Sequence, residues 1–168
     1  MTQLNNHNVG SLSAAVETPI YDRQAVTPGI VHIGVGGFHR AHQAMYVDAL
    51  MNQGEALDWG IVGVGVMPGD KRMQQALAAQ DYLYPLVVKH PNGEYQPRVI
   101  GSMVNYLFAP EDPEAVIETM ADPAIKIVSL TVTEGGYNFH PVSGEFNLDA
   151  PQVRDDLAHP EPPPPSFG

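Results

Sequence analysis

Apolar positions cluster in three short runs rich in β-branched residues, at 30–33, 59–64 and 125–132. The first, Ile30-Val31-His32-Ile33, follows a Thr27-Pro28-Gly29 turn and stops at Gly34, the pattern of a buried strand. Between the first two runs, Ala41, Ala44, Met45, Val47, Ala49 and Leu50 fall mostly three or four residues apart, which predicts one helix over 39–53 that ends at Gly54. The run 59–64 then closes a β-α-β unit of the length a right-handed parallel crossover needs. Beyond a break at Met67-Pro68-Gly69-Asp70, residues 71–79 have good helix propensity. Two strand-like runs, 82–89 and 98–108, flank Pro91-Asn92-Gly93-Glu94, and Asn-Gly is the favoured dipeptide of a tight antiparallel hairpin. Tyr82, Tyr84, Tyr95, Tyr106 and Phe108 are expected to pack that small sheet. A further helix should start near Pro113, with Asp112 as N-cap and Glu114 in its first turn, and end by Asp122-Pro123. Residues 125–132 read as the third parallel strand, and 151–157 as a modest final helix.

Composition narrows the function. The 168 residues carry 8 basic and 19 acidic side chains, a formal charge of -11, with 43% hydrophobic residues, so most of the chain should fold and a phosphate backbone is an unlikely partner. There is no cysteine, which removes disulfides, thiolate metal sites and a cysteine nucleophile together and agrees with a cytoplasmic location. No signal peptide and no apolar stretch of about 20 residues occurs, so a soluble protein with no membrane partner is expected. Prolines crowd into a polyproline-like tail. Three parts result: an extension over 1–27, a folded domain over 28–158 and a proline-rich tail over 159–168.

The most informative string, Gly34-Val35-Gly36-Gly37-Phe38-His39-Arg40, sits between the first strand and the first helix. In that place Gly34 permits the tight turn, Gly36 lets backbone approach a pyrophosphate, and the helix N-terminus offers amides to an anion. The third glycine of G-x-G-x-x-G falls at His39, so the match is imperfect; such glycines can also merely shape a turn. His39 is expected to pack over a cofactor, and Arg40 either to pair with pyrophosphate or to lie at the surface. The fingerprint also requires an acid after the second strand to accept from the adenosine ribose. Asp58 lies before that strand, at the wrong edge, whereas Asp70 lies after it and is assigned here, with capping of the Lys71 helix as the other reading. Lys71 and Arg72 beside it leave NADP open alongside NAD. The fold class is therefore α/β, a Rossmann-like parallel sheet with an antiparallel hairpin insertion.

The strings Ile33 to Gln43 and Ser129-Leu130-Thr131-Val132-Thr133-Glu134-Gly135-Gly136-Tyr137 resemble the N-terminal domain of the mannitol dehydrogenase family, the polyol-specific long-chain dehydrogenases. The resemblance runs from about Pro28 to Leu157 and implies reversible hydride transfer between NAD and a mannitol-like polyol or its ketose. It maps the family's cofactor-binding loop onto Gly34, Val35, Gly36, Gly37, Phe38, His39 and Arg40, its ribose-binding aspartate onto Asp70, and an auxiliary glutamate for proton movement onto Glu134. Gly69 stands where close relatives often carry a second acid. The family's catalytic lysine belongs to a Lys-x4-Asn-x2-His string in a C-terminal domain, and no such string occurs in these residues. The chain is accordingly expected to be a fragment with no catalytic residue of its own, inactive in isolation.

Other chemistry is poorly supported. His39 and His42, three apart, have no third ligand at metal spacing. His90, His140 and His159 suit solvated loops, and no Gly-x-Ser-x-Gly elbow is present. A stand-alone nucleotide-binding or interaction module without catalysis is the competing function. An adenosylmethionine-dependent methyltransferase would also use a glycine loop after its first strand, but the polyol-dehydrogenase strings count against it.

Overall fold

Four parallel strands, β1 (Pro28–Ile33), β2 (Gly60–Gly65), β5 (Met103–Phe108) and β6 (Ile127–Leu130), form one sheet in the order β5-β2-β1-β6. The computed structural model describes residues 3–132, 134–140 and 142–159. The tail expected over 159–168 lies outside them beyond His159. Strands β1 (Pro28–Ile33) and β2 (Gly60–Gly65) pair in parallel from Ile30↔Ile61 to Ile33↔Val64. Both are almost wholly buried, because each face of the sheet is covered. Alternate residues serve opposite faces: Ile30 and Ile61 join a cluster with Leu77, Ile100, Met103 and Tyr106, while Val31 and Val62 join Val64 and Val116.

Helices α3 (Asp70–Ala78) and α4 (Pro113–Ala121) form where the pattern places them, and β3 (Tyr84–Lys89) pairs with β4 (Tyr95–Ile100) around the expected turn, although β4 starts ahead of the run expected from 98. Gly93 takes the positive φ of 87° in the hairpin turn. Asp112 caps α4 by accepting from the Ala115 amide at 3.0 Å.

Two expectations are corrected. Residues 98–108 are not one hairpin strand. The run bends at Gly101-Ser102, and its second half, β5 (Met103–Phe108), pairs in parallel with β2. The third parallel strand is therefore β5, and β6 (Ile127–Leu130) is the fourth, paired to the other side of β1. Buried polar groups far away in sequence hold the bend. The Gly101 amide donates to Asp48 Oδ1 at 2.8 Å, Ser102 Oγ donates to the Ala44 carbonyl at 2.6 Å, and the Arg23 guanidinium donates to the carbonyls of Gly101 and Met103. Tyr106 and Phe108 consequently belong to the parallel sheet, while Tyr95 is exposed on the hairpin. The helix expected over 39–53 is likewise two pieces, α1 (Gly37–Ala41) and α2 (Gln43–Met51), because His42 leaves helical geometry at φ -122°, ψ -84°.

The described part of 1–27 packs on this core: Tyr21 Oη donates to the fully buried Asp48 at 2.7 Å, and Glu17 bridges to Arg98. The described residues divide into two compact units after Leu130. The second has its own short elements: a 3-10 turn at Glu134–Tyr137, a Phe139–Phe146 bridge and α5 (Pro151–Ala158). Among the described residues, no helix is long and apolar enough to cross a membrane.

Candidate functional site

All four parallel strands end at one edge, and the direction of sheet growth reverses there: β2 and β5 extend to one side of β1, β6 to the other. Such a reversal opens a crevice at the carboxyl ends of the strands, the usual ligand position in open α/β sheets. The turn after β1 lies at this point. Gly34 has φ +90°, a conformation that a side chain resists, and its amide donates to the Val64 carbonyl at 2.9 Å. Gly36 and Gly37 are different. Gly36 has an ordinary φ of -81°, and a Cβ built on either residue would meet nothing within 4 Å. No neighbouring atom of the chain therefore requires glycine at these two exposed positions. The first amides of a helix have no partner within it, and α1 starts at Gly37, at these open positions.

The next two side chains part company. Phe38 is 70% exposed, whereas His39 is 1% exposed and stacks on His32 of β1, ring centroids 3.8 Å apart. Its Nδ1 lies 2.9 Å from Gln43 Oε1, and its Nε2 is buried with no hydrogen-bond partner. His32 Nδ1 in turn lies 2.9 Å from Ser129 Oγ on β6. Burial first, then His32 and Arg40, hold the His39 imidazole down to about 4, so both rings stack uncharged near neutrality. The His39 ring thus packs inward against His32 of β1, while Phe38 is exposed. Arg40 folds back over the turn: its guanidinium donates to the Val35 carbonyl at 3.1 Å, and its own carbonyl accepts from Tyr84 Oη at 2.7 Å.

The turn after β2 is built from its own side chains. Asp70 Oδ2 accepts from the amides of Val66 and Met67 at 3.1 and 3.0 Å, so the carboxylate reaches backward into the turn and does not cap α3. Gly65 is required here: a Cβ would lie 2.6 Å from Asp70 Cβ and 2.6 Å from Tyr106 Oη. Burial, reinforced by the Asp70 carboxylate, pushes the Tyr106 phenol up to about 12 and keeps it protonated. Asp58 is at the opposite edge, paired with Lys126 ahead of β6. Glu134 lies in the 3-10 turn of the second unit. Among the described residues, no three His, Asp or Glu side chains gather as metal ligands. His32, Tyr106 and Gly65 were missed in the sequence. A histidine inside an apolar strand run, two residues before the glycine turn begins at Gly34, is the one signal that would have drawn attention to the stack.

Comparison with known proteins agrees with this architecture. Residues 28–163 match the profile of the mannitol dehydrogenase Rossmann domain. The chain is 52% identical over 157 residues to a mannitol 2-dehydrogenase of Cereibacter sphaeroides, covering 94% of the chain and 32% of that protein. It is 46% identical over 167 residues to a polyol:NADP oxidoreductase of Gluconobacter oxydans, covering 98% and 34%. The structure of Pseudomonas fluorescens mannitol 2-dehydrogenase in ternary complex with NAD and D-mannitol superposes with a TM-score of 0.83 at 48% identity, covering 95% of this chain and 32% of that one. The chain thus spans about a third of the length of these relatives. It belongs to the mannitol dehydrogenase family, and what it presents is that family's Rossmann domain.

Proposed function

We propose that this chain binds NAD across the turn after β1, as the nucleotide-binding domain of an oxidoreductase that interconverts a mannitol-like polyol and its ketose. The observation that carries the reading is the pair of glycines, Gly36 and Gly37, that the fold itself leaves open at the strand edge. A pyrophosphate is the group such a cradle fits, since backbone amides reach it only where no Cβ intervenes. Gly34, Val35, Gly36, Gly37, Phe38, His39 and Arg40 would supply the cradle, the last two through their backbone and by holding the turn from behind. Asp70, its Oδ2 engaged by two amides, keeps Oδ1 for the ribose hydroxyls and repels a 2'-phosphate, which favours NAD over NADP. NAD, when bound, accepts the hydride; the chain orients it and excludes water behind it.

An auxiliary role for Glu134 in moving the hydroxyl proton, and a cytoplasmic location, belong to the same proposal and are supported by sequence alone. The absence of a Lys-x4-Asn-x2-His string in these 168 residues supports a second reading of the chain acting by itself, as a module that binds nucleotide without turnover. Calorimetric titration with NAD, with S-adenosylmethionine as control, tests the assignment. Saturable heat is expected from NAD alone; binding of the control and not of NAD would overturn it. In the same preparation, mannitol, arabinitol and fructose should give no change in nicotinamide absorbance, because a placed base contributes about 10² to 10⁴ in rate and none is present. Robust turnover would identify a base within the chain, with His39 and Glu134 the first to replace.

A further inference from the structure

Asp70 and Lys71 are neighbours in the first turn of α3, and the structure sends them in different directions. The Asp70 carboxylate is bound by the Val66 and Met67 amides, inside the turn after β2. The Lys71 ammonium is drawn the other way, across the end of β2 toward β5. It pairs with Glu111 and lies 5.3 Å from the centroid of the Phe108 ring, the last residue of β5. Phe108 is itself fixed, buried and in register with Gly65, while the Glu111 amide donates to the Phe108 carbonyl at 3.1 Å. Ring and carboxylate therefore receive the ammonium together, the ring buried and the Glu111 backbone tied to it.

We propose that Glu111 is a specificity-determining residue of the nucleotide site. By tethering Lys71 against Phe108, it withholds the cation adjoining Asp70 from a 2'-phosphate. This rests on the placement of the adenosine ribose at Asp70 proposed above. The chemistry is simple. A 2'-phosphate beside Asp70 is opposed by one carboxylate and needs a nearby cation, and lysine, a flexible point charge, swings to whichever anion is better placed. While Glu111 is charged, Lys71 already has an anion and an aromatic face, so moving to a phosphate means giving up both. With a neutral, isosteric amide at 111 the tether weakens, and Lys71 is released to the phosphate.

The test is a double-mutant cycle on the 168-residue chain: wild type, Glu111→Gln, Lys71→Met and the double variant, with NAD and NADP affinities measured by calorimetry at low salt. Both residues are partly exposed, so a change in fold is not expected, and thermal unfolding of each variant monitors it. Glu111→Gln should narrow the NAD to NADP affinity ratio about three- to fivefold, the scale of one exposed ion pair, and the effect should fade at about 0.5 M salt. In the Lys71→Met background the same substitution should leave the ratio unchanged. An unchanged ratio in Glu111→Gln with NAD still bound overturns the inference and leaves the NAD assignment standing. Equal narrowing in both backgrounds also overturns it, since Glu111 would then act as a bare charge. If the wild-type chain binds neither nucleotide, the assignment of the site fails first and the inference with it.

Discussion

The two strand-to-helix turns at the ligand edge, one after β1 and one after β2, are both glycine-bearing and both precede a helix, yet they are built on opposite plans. In the first, Gly36 and Gly37 face open space and the chain makes no use of their missing side chains. In the second, the space at Gly65 is filled by Asp70 and Tyr106, and two amides are satisfied by a carboxylate. The chain's own packing therefore fixes the glycine at 65 and leaves those at 36 and 37 unconstrained, which is the difference the proposed dinucleotide site rests on. A glycine's meaning depends on what would occupy its Cβ position, which sequence does not state.

The largest effect that separates the two turns is on stability. Gly65→Val should destabilise the protein by about 1–3 kcal/mol, as overpacking against an Asp70 Cβ and a buried Tyr106 does, whereas Gly36→Val should stay within about 0.5 kcal/mol. Thermal denaturation of the two variants measures this, and equal midpoints would erase the distinction. Asp70 comes next. Asp70→Ala removes the acceptor of two turn amides and should cost about 1 kcal/mol while also narrowing the NAD to NADP ratio; Asp70→Asn keeps an acceptor and should restore most of the stability but not the ratio. If both variants leave the ratio at its wild-type value, Asp70 serves the turn alone.

The smallest effect concerns what stands behind the first turn. The unfolded chain takes up a proton at His39 near its ordinary value of 6.5, which the folded ring refuses until about pH 4. The contribution of the stacked pair is therefore complete above pH 6.5 and lost as pH falls toward 4, and His32, also held down by burial, acts with the same sign. Burial pushes the Asp48 carboxyl up, so that its contribution to the pH dependence runs in the opposite sense. His39→Gln isolates the histidine part: the fall in unfolding midpoint between pH 7.5 and 5 should shrink in that variant, and an unaltered slope would remove His39 from the account.

Local signals carried much of this architecture into the sequence. β1, β2, the Asn92-Gly93 hairpin and the Asp112 cap all depend on residues within a few positions of one another. The bend at Gly101-Ser102 does not, since its partners Arg23, Ala44 and Asp48 come from far earlier in the chain, and an uninterrupted apolar run hid it. The break at His42 was hidden in the same way, by apolar spacing that continues across it. At the candidate site, the positions of the glycine turn and of Asp70 after β2 were legible because each lies within a few residues of a strand end. The inward turn of His39 was not, because its partner His32 lies on another element. The pairing of Lys71 with Glu111 was equally out of reach, forty residues apart and joined only when β5 takes its place beside β2.

The central claim, that the turn after β1 is kept open for a dinucleotide, is tested most directly by titrating NAD into the wild-type chain and Gly36→Val under identical conditions, with the unfolding midpoint of each recorded beforehand. A Cβ at 36 meets nothing within 4 Å, so the account predicts closely matching midpoints and a loss of NAD affinity of at least about tenfold, one 1.4 kcal/mol step or more. Equal NAD affinity in two equally stable proteins would contradict it.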